Sequence, residues 1–213
     1  MQDAIRIFDP GNFQEVCDEL AGNDPALKKI LDVHQYPQMW SRPNSYETLV
    51  HIILEQQVSL ASALAALKKL KEKLTEITPD KILKLTDEEM RACYVSRQKA
   101  GYIRGLAGAI KNGLSLEAMY TMPDDAIREL LTGLKGIGNW TVDIYLIFAL
   151  QRADIFPYGD LAAVNALKRI KELPQDAGKD IIAAVAETWK PNRSIATMIL
   201  WHYYLSSPLK RIV

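Results

Sequence analysis

Cysteine is almost absent: Cys17 and Cys93 are the only two thiols in 213 residues. Two are too few for a four-cysteine zinc or iron–sulfur site, and they give no disulfide framework. A reducing, cytoplasmic setting is expected. Long apolar runs are missing too, and no stretch approaches the ~20 residues a membrane helix needs. The opening MQDAIRIFDPGNFQEVCDEL has an early Asp and no apolar segment, so no secretory signal is read there. His34, His51 and His202 are scattered without paired spacing, a pattern of core or surface histidines and not of a metal site. Charge of one sign is also lacking, since 26 Lys and Arg balance 26 Asp and Glu. Neutrality counts against nucleic-acid binding, where a basic footprint is usual, but a local patch suffices. No internal repeat is found, and no stretch alternates with period two except, weakly, residues 2–8, read as a short strand.

What is there is helical periodicity from end to end. Asp24-Pro25 reads as a cap followed by proline in the first turn. From Ser45, apolar residues recur at helical spacing to Leu74, as one long helix or as two joined near Val58-Ser59. Thr78-Pro79 caps another, and Thr86 with Glu89 forms a capping box. Further helices are expected over 99–111, from Pro123 to Leu131, and over 139–150, 161–172, 176–189 and 192–205. The expected class is all-α, roughly ten short helices with short loops.

One junction has chemical content. In LKGIGNWTVDIYLIFAL, residues 134–150, Gly136 and Gly138 stand at the mouth of an apolar helix. The plain reading is a tight helix–helix turn with a C-cap glycine. The other reading is an anion site: a helix start leaves backbone N–H groups without intrahelical partners at the positive end of the dipole. Ile137 is expected to point inward and anchor the turn. Downstream, Asp160 opens the next helix inside a Pro/Gly loop, IFPYGD, as an ordinary N-cap or as a fixed carboxylate on the rim of a site.

Four separated segments carry a wider resemblance: PNSYETLVHIILEQQVSLASA, SRQKAGYIRGLA, the L-x-G-h-G-x-x-T hairpin with its Pro/Gly loop and Asp, and WKPNRSIATMILWHY. Together they resemble the helix–hairpin–helix (HhH-GPD) DNA glycosylases, in the 3-methyladenine DNA glycosylase II subfamily, over roughly residues 24–205. The resemblance implies a single glycosylase unit over 1–213 of two helical lobes with a base cleft between them, a hairpin at 130–145, and residues 1–23 as an extension. Larger bacterial relatives carry an N-terminal mixed α/β domain; with about 23 residues ahead of the helices, that domain is expected to be absent or vestigial here. The iron–sulfur loop of the endonuclease III branch is excluded by the cysteine count. Bifunctional relatives have a Lys just before the hairpin Thr; here it is Trp140, which implies no β-lyase activity.

The implied enzyme removes alkylated purines, 3-methyladenine and 7-methylguanine, from double-stranded DNA in base-excision repair, in the cytoplasm in association with the nucleoid, and as a monomer without membrane attachment. The same fold on uracil, hypoxanthine or oxidised guanine, or a non-catalytic DNA-binding hairpin, are the alternatives. Asp160 is the implied catalytic residue, facing an oxocarbenium-like sugar or the attacking water. The target base must be flipped out of the duplex. A cationic purine stacks on electron-rich rings, and Trp201, Trp140 and Tyr158 are the pocket candidates, with Trp40 behind them. Gly136, Gly138, Thr141 and its hydroxyl, Gln57 and Arg97 are candidate DNA contacts. Arg97 occupies the wedge position in the 95–98 loop, or is a solvated charge. Gln56-Gln57 reads as a minor-groove contact or as a buried hydrogen-bonded pair. No cofactor is required; a monovalent cation, Na+ or K+, on the carbonyls of Thr132, Leu134 and Ile137 is implied when DNA is bound.

Overall fold

The structure, a computed structural model, describes residues 5–206. Among these it holds twelve α-helices and a 3-10 turn at Glu117–Tyr120. The chain divides into two compact units, Met1–Ser41 with Gln151–Val213, and Arg42–Leu150.

The first unit contains α1 (Phe13–Asn23), α2 (Pro25–His34), α10 (Leu161–Ile170), α11 (Lys179–Glu187) and α12 (Arg193–Ser206). Helix α12 is its core: all eight residues from Ser194 to Trp201 are buried, as expected of a helix apolar on every side. It packs against α1, α2 and α10. The Asp24 side chain caps α2 by accepting from the Ala26 amide. The same carboxylate holds Lys171 Nζ at 2.7 Å and the Trp189 indole N–H at 2.7 Å. These contacts outweigh the cost of its burial and hold its pKa below the usual carboxylate range.

Helix α1 was not anticipated; its Phe13, Cys17 and Leu20 are buried at i, i+4 and i+7. The strand expected over 2–8 is corrected. Residues 2–4 lie outside the described part, and the rest makes one isolated antiparallel bridge, Ile7 to Arg152. The Phe8 amide donates to Gln151 O and Ala153 to Arg6 O. A lone pairing of this length leaves no ladder to extend.

The second unit contains α3 (Tyr46–Glu55), α4 (Leu60–Leu74), α5 (Pro79–Leu83), α6 (Asp87–Ala92), α7 (Arg97–Lys111), α8 (Asp124–Thr132) and α9 (Asn139–Phe148). The Ser45 segment is therefore two helices, broken at Gln56–Ser59. Ser45, Ser59, Thr78 and Ser96 each cap the helix they precede, and Thr86 with Glu89 forms both halves of a capping box. Helix α9 has seven consecutive buried residues, Thr141 to Ile147, and packs against α3 and α8. Its Tyr145 hydroxyl donates to Asn44 Oδ1 at 2.6 Å, which satisfies the phenol inside the core.

Candidate active site and nucleic-acid contacts

In the second unit, α8 and α9 form a helical hairpin through the 133–138 turn. Ile137 is 4% exposed and anchors the turn as expected. Gly136 lies at φ +86, where a side chain is strained. A Cβ there would sit 2.1 Å from the Tyr102 ring, so only glycine fits. Gly138 is different. Its φ of −101 is ordinary, it is the N-cap of α9, and it gives that helix no side-chain cap. Nothing lies within 4 Å of a Cβ built on it. An outside anion therefore has open access to the first turn of α9, where helix geometry leaves amides to be satisfied.

Thr141 departs from expectation. It is 2% exposed, and its Oγ1 accepts from Gln56 Nε2 at 2.9 Å. The hydroxyl is spent inside the fold because the third residue of α9 faces α3, so only the Thr141 backbone remains for a phosphate. The two glutamines divide between their two readings. Gln56 points inward, whereas Gln57 is exposed at φ +56 in the turn between α3 and α4. Arg97 is exposed in the first turn of α7, after the capping Ser96 and the buried Val95. It lines a depression of about 210 Å³ with Asp87, Glu88 and Arg91, so charges of both signs lie beside it.

The hairpin helices are also tied by charge. Arg128 on α8 donates to Asp143 Oδ1 on α9 at 2.6 Å and to Asn139 Oδ1 at 3.2 Å. Burial pushes the Asp143 carboxyl up to about 6, against the pull of Arg128. Trp140, in the first turn of α9, is half-buried.

In the first unit, Asp160 closes the loop Ile155–Gly159 and caps α10. Its amide donates to Pro157 O at 2.8 Å. Its Oδ1 accepts from the Ala163 amide at 2.8 Å and from the Trp201 indole N–H at 3.0 Å. Both sequence readings of Asp160 thus start from one geometry: the cap itself fixes the carboxylate. Asp160 is half-buried, Trp201 is 9% exposed, and Trp40 meets Trp201 edge-on with ring centroids 6.3 Å apart. Tyr158 is 40% exposed and packs edge-on against Phe156. Trp189 is core, at 2% exposure. The Trp40–Trp201–Asp160 cluster is legible in the sequence only as separate aromatics.

The second unit thus holds a glycine-turned hairpin with an open helix start, and the first unit a capping Asp160 against the buried Trp201. The family model described as HhH-GPD superfamily base excision DNA repair protein matches residues 50–191, which include the hairpin and Asp160. The chain belongs to the HhH-GPD superfamily. DNA-3-methyladenine glycosylase 1 of Schizosaccharomyces pombe is 30% identical over 180 residues, covering 82% of this chain and 79% of that protein. DNA-3-methyladenine glycosylase of Bacillus subtilis is 27% identical over 207 residues, 91% of this chain and 68% of that one. Among solved structures, the S. pombe 3-methyladenine DNA glycosylase in complex with abasic DNA superposes with TM-score 0.78 at 30% identity, over 88% of this chain and 95% of that chain. The Bacillus halodurans DNA-3-methyladenine glycosidase gives TM-score 0.77 at 25% identity, over 95% and 94%. No helix among the described residues of this HhH-GPD protein is long and apolar enough to cross a membrane.

Proposed function

We propose that this HhH-GPD protein is a monofunctional DNA glycosylase that hydrolyses the N-glycosidic bond of alkylated purines, 3-methyladenine first, in double-stranded DNA. The observation that carries this reading is the fixed Asp160 carboxylate against the Trp201 indole. The relatives named for 3-methyladenine support the substrate.

Scission of the bond leaves an oxocarbenium-like sugar. A carboxylate locked by two donors on one oxygen does not have to reorganise as that positive charge develops, and it orients or deprotonates the attacking water. An alkylated, cationic purine leaves as a neutral base and needs little help from an acid. Trp201, with Trp40 and Tyr158, offers rings on which such a base stacks, and Trp140 in the second unit is a further candidate ring. The first-turn amides of α9, with Gly136 and Gly138, hold a backbone phosphate, and Gln57 touches the duplex from its exposed turn. These contacts position the enzyme without reading sequence, which suits a search for damage. Trp140, where bifunctional relatives place a lysine, leaves no amine there to form a Schiff base.

We further infer that the carbonyls of Thr132, Leu134 and Ile137 would hold a monovalent cation when DNA is bound, although Leu134 O already accepts from the Ile137 amide at 3.1 Å. Thr132 ends α8, at the negative end of its dipole, so its carbonyl has no later helical amide to accept from. A cation there would supply positive charge beside the phosphate.

Incubation with methylated duplex DNA tests the reading. Free 3-methyladenine and 7-methylguanine are expected in solution, with abasic sites that break only on alkaline treatment. No release of either base, with duplex binding intact, would overturn the assigned reaction. Breakage without alkali would overturn the monofunctional assignment.

A further inference from the structure

Gln56 and Gln57 are neighbours with opposite environments. Gln57 faces out. Gln56 Nε2 donates to Gly136 O at 2.9 Å and to Thr141 Oγ1 at 2.9 Å. An amide nitrogen has two N–H groups, so both are used. One acceptor lies in the hairpin turn and the other in the first turn of α9, so this side chain spans the segment proposed to hold a phosphate.

The Gln56 backbone is held just as firmly. Its carbonyl accepts from Lys99 Nζ at 2.8 Å, and the same ammonium donates to Leu54 O at 2.6 Å. Lys99 thereby caps carbonyls left open at the end of α3. Burial holds its pKa below the ordinary lysine range. One turn along α7, the Tyr102 ring presses on Gly136, and its hydroxyl accepts from Gln98 Nε2 at 2.5 Å. The hairpin turn, the Gln57 turn and the start of α7 thus share one polar network centred on Gln56.

We propose that Gln56 is a positioning residue: its amide locks the 133–138 turn so that the α9 amides meet one phosphate, while its backbone fixes the exposed Gln57 turn. This rests on the DNA-binding reading of the hairpin. Glutamine suits the post because it is neutral and offers two donors to two acceptors. Methionine has similar length and no donor. Glutamate would set a carboxylate against the Gly136 carbonyl and beside the α9 amides, where it competes with the phosphate for them.

The test is duplex binding as a function of salt, with an abasic-site analogue, for wild type, Gln56→Met and Gln56→Glu. Wild type is expected to bind more weakly as salt rises. Gln56→Met is expected to bind about tenfold more weakly, with a log K against log salt slope shallower by about 0.9, the signature of one lost phosphate contact. Gln56→Glu is expected to be weaker still. The loss should fall on the dissociation constant more than on the excision rate at saturating duplex. Wild-type affinity and slope in both variants would overturn the proposal. So would lowered melting temperature and excision with the slope unchanged, which describes a merely structural role. If Gln56→Met does not fold, Thr141→Val removes one acceptor only and is expected to show a smaller loss of the same sign; an unchanged slope there would count equally against the proposal. If wild type itself binds duplex without salt dependence, the hairpin reading falls and this inference with it.

Discussion

Asp160→Asn separates the chemistry of Asp160 from its structural work, because the cap survives the substitution. Asn is as good an N-cap as Asp, and its side-chain oxygen can still accept from the Ala163 amide and the Trp201 indole. The negative charge is lost, and an NH2 donor replaces the second carboxylate oxygen. A unit charge ~4 Å from a developing cation is worth about 4 kcal/mol at an effective dielectric of ~20. Removal of a preorganised electrostatic partner typically costs about 3–4 kcal/mol, or roughly 10²–10³ in rate. The expected result is therefore excision slowed by roughly 10²–10³ under single turnover. The melting temperature should stay within ~2 °C, and the dissociation constant for an abasic-site duplex within a few-fold. Asp160→Ala is the structural control. It loses the cap as well, about 1 kcal/mol, which in a protein of this size lowers melting by roughly 2–4 °C. Near-normal excision by Asp160→Asn would refute the catalytic role. A melting loss as large as that of Asp160→Ala would refute the claim that the cap survives.

Three further outcomes are expected. Trp201→Phe keeps a ring but removes the donor to Asp160; a hydrogen bond to a charged acceptor is worth about 1.5–3 kcal/mol, so excision should fall at least about tenfold while duplex affinity holds, and an unchanged rate would leave Trp201 a stacking role only. Gly138→Ser adds a cap to α9, where Gly138 supplies none; unfolding should show a gain of a few tenths of a kcal/mol, and duplex binding should weaken as the hydroxyl takes an amide from the phosphate. The Asp143 carboxyl, at about 6 in the fold against about 3.9 in an unfolded chain, is protonated more readily when folded. Its burial therefore costs stability above pH 6, and the cost is relieved as pH falls toward 4. From pH 7 to 5 wild type should gain on the order of 1 kcal/mol relative to Asp143→Asn in denaturant unfolding, and a loss would reverse the sign of the argument.

Local signals carried most of the fold. Caps act within three or four residues, so Asp24, Ser45, Thr86 with Glu89, and Asp160 mark helix starts that the structure keeps. The two core helices, α9 and α12, announce themselves as apolar on every side. Helix α1 was missed: of its core positions Phe13, Cys17 and Leu20, one is a cysteine that reads first as a thiol. The hairpin is visible because glycine at a left-handed position and at an uncapped helix start has a backbone reason to be there.

The partners of the site residues were not legible. Trp201 finds Asp160 across 41 residues, and Gln56 finds Gly136 across 80. No period or cap encodes such a pairing, since it depends on how whole helices pack. For the same reason the sequence set Gln56 and Gln57 side by side as equals and offered the Thr141 hydroxyl to DNA. Composition, capping and periodicity determined by themselves that this chain is helical and where its capped helices begin, because those forces act within a turn. Which polar side chain faces inward was decided only when α3, α7 and α9 came together around the hairpin, because a buried donor must find an acceptor and the packed fold alone supplies one.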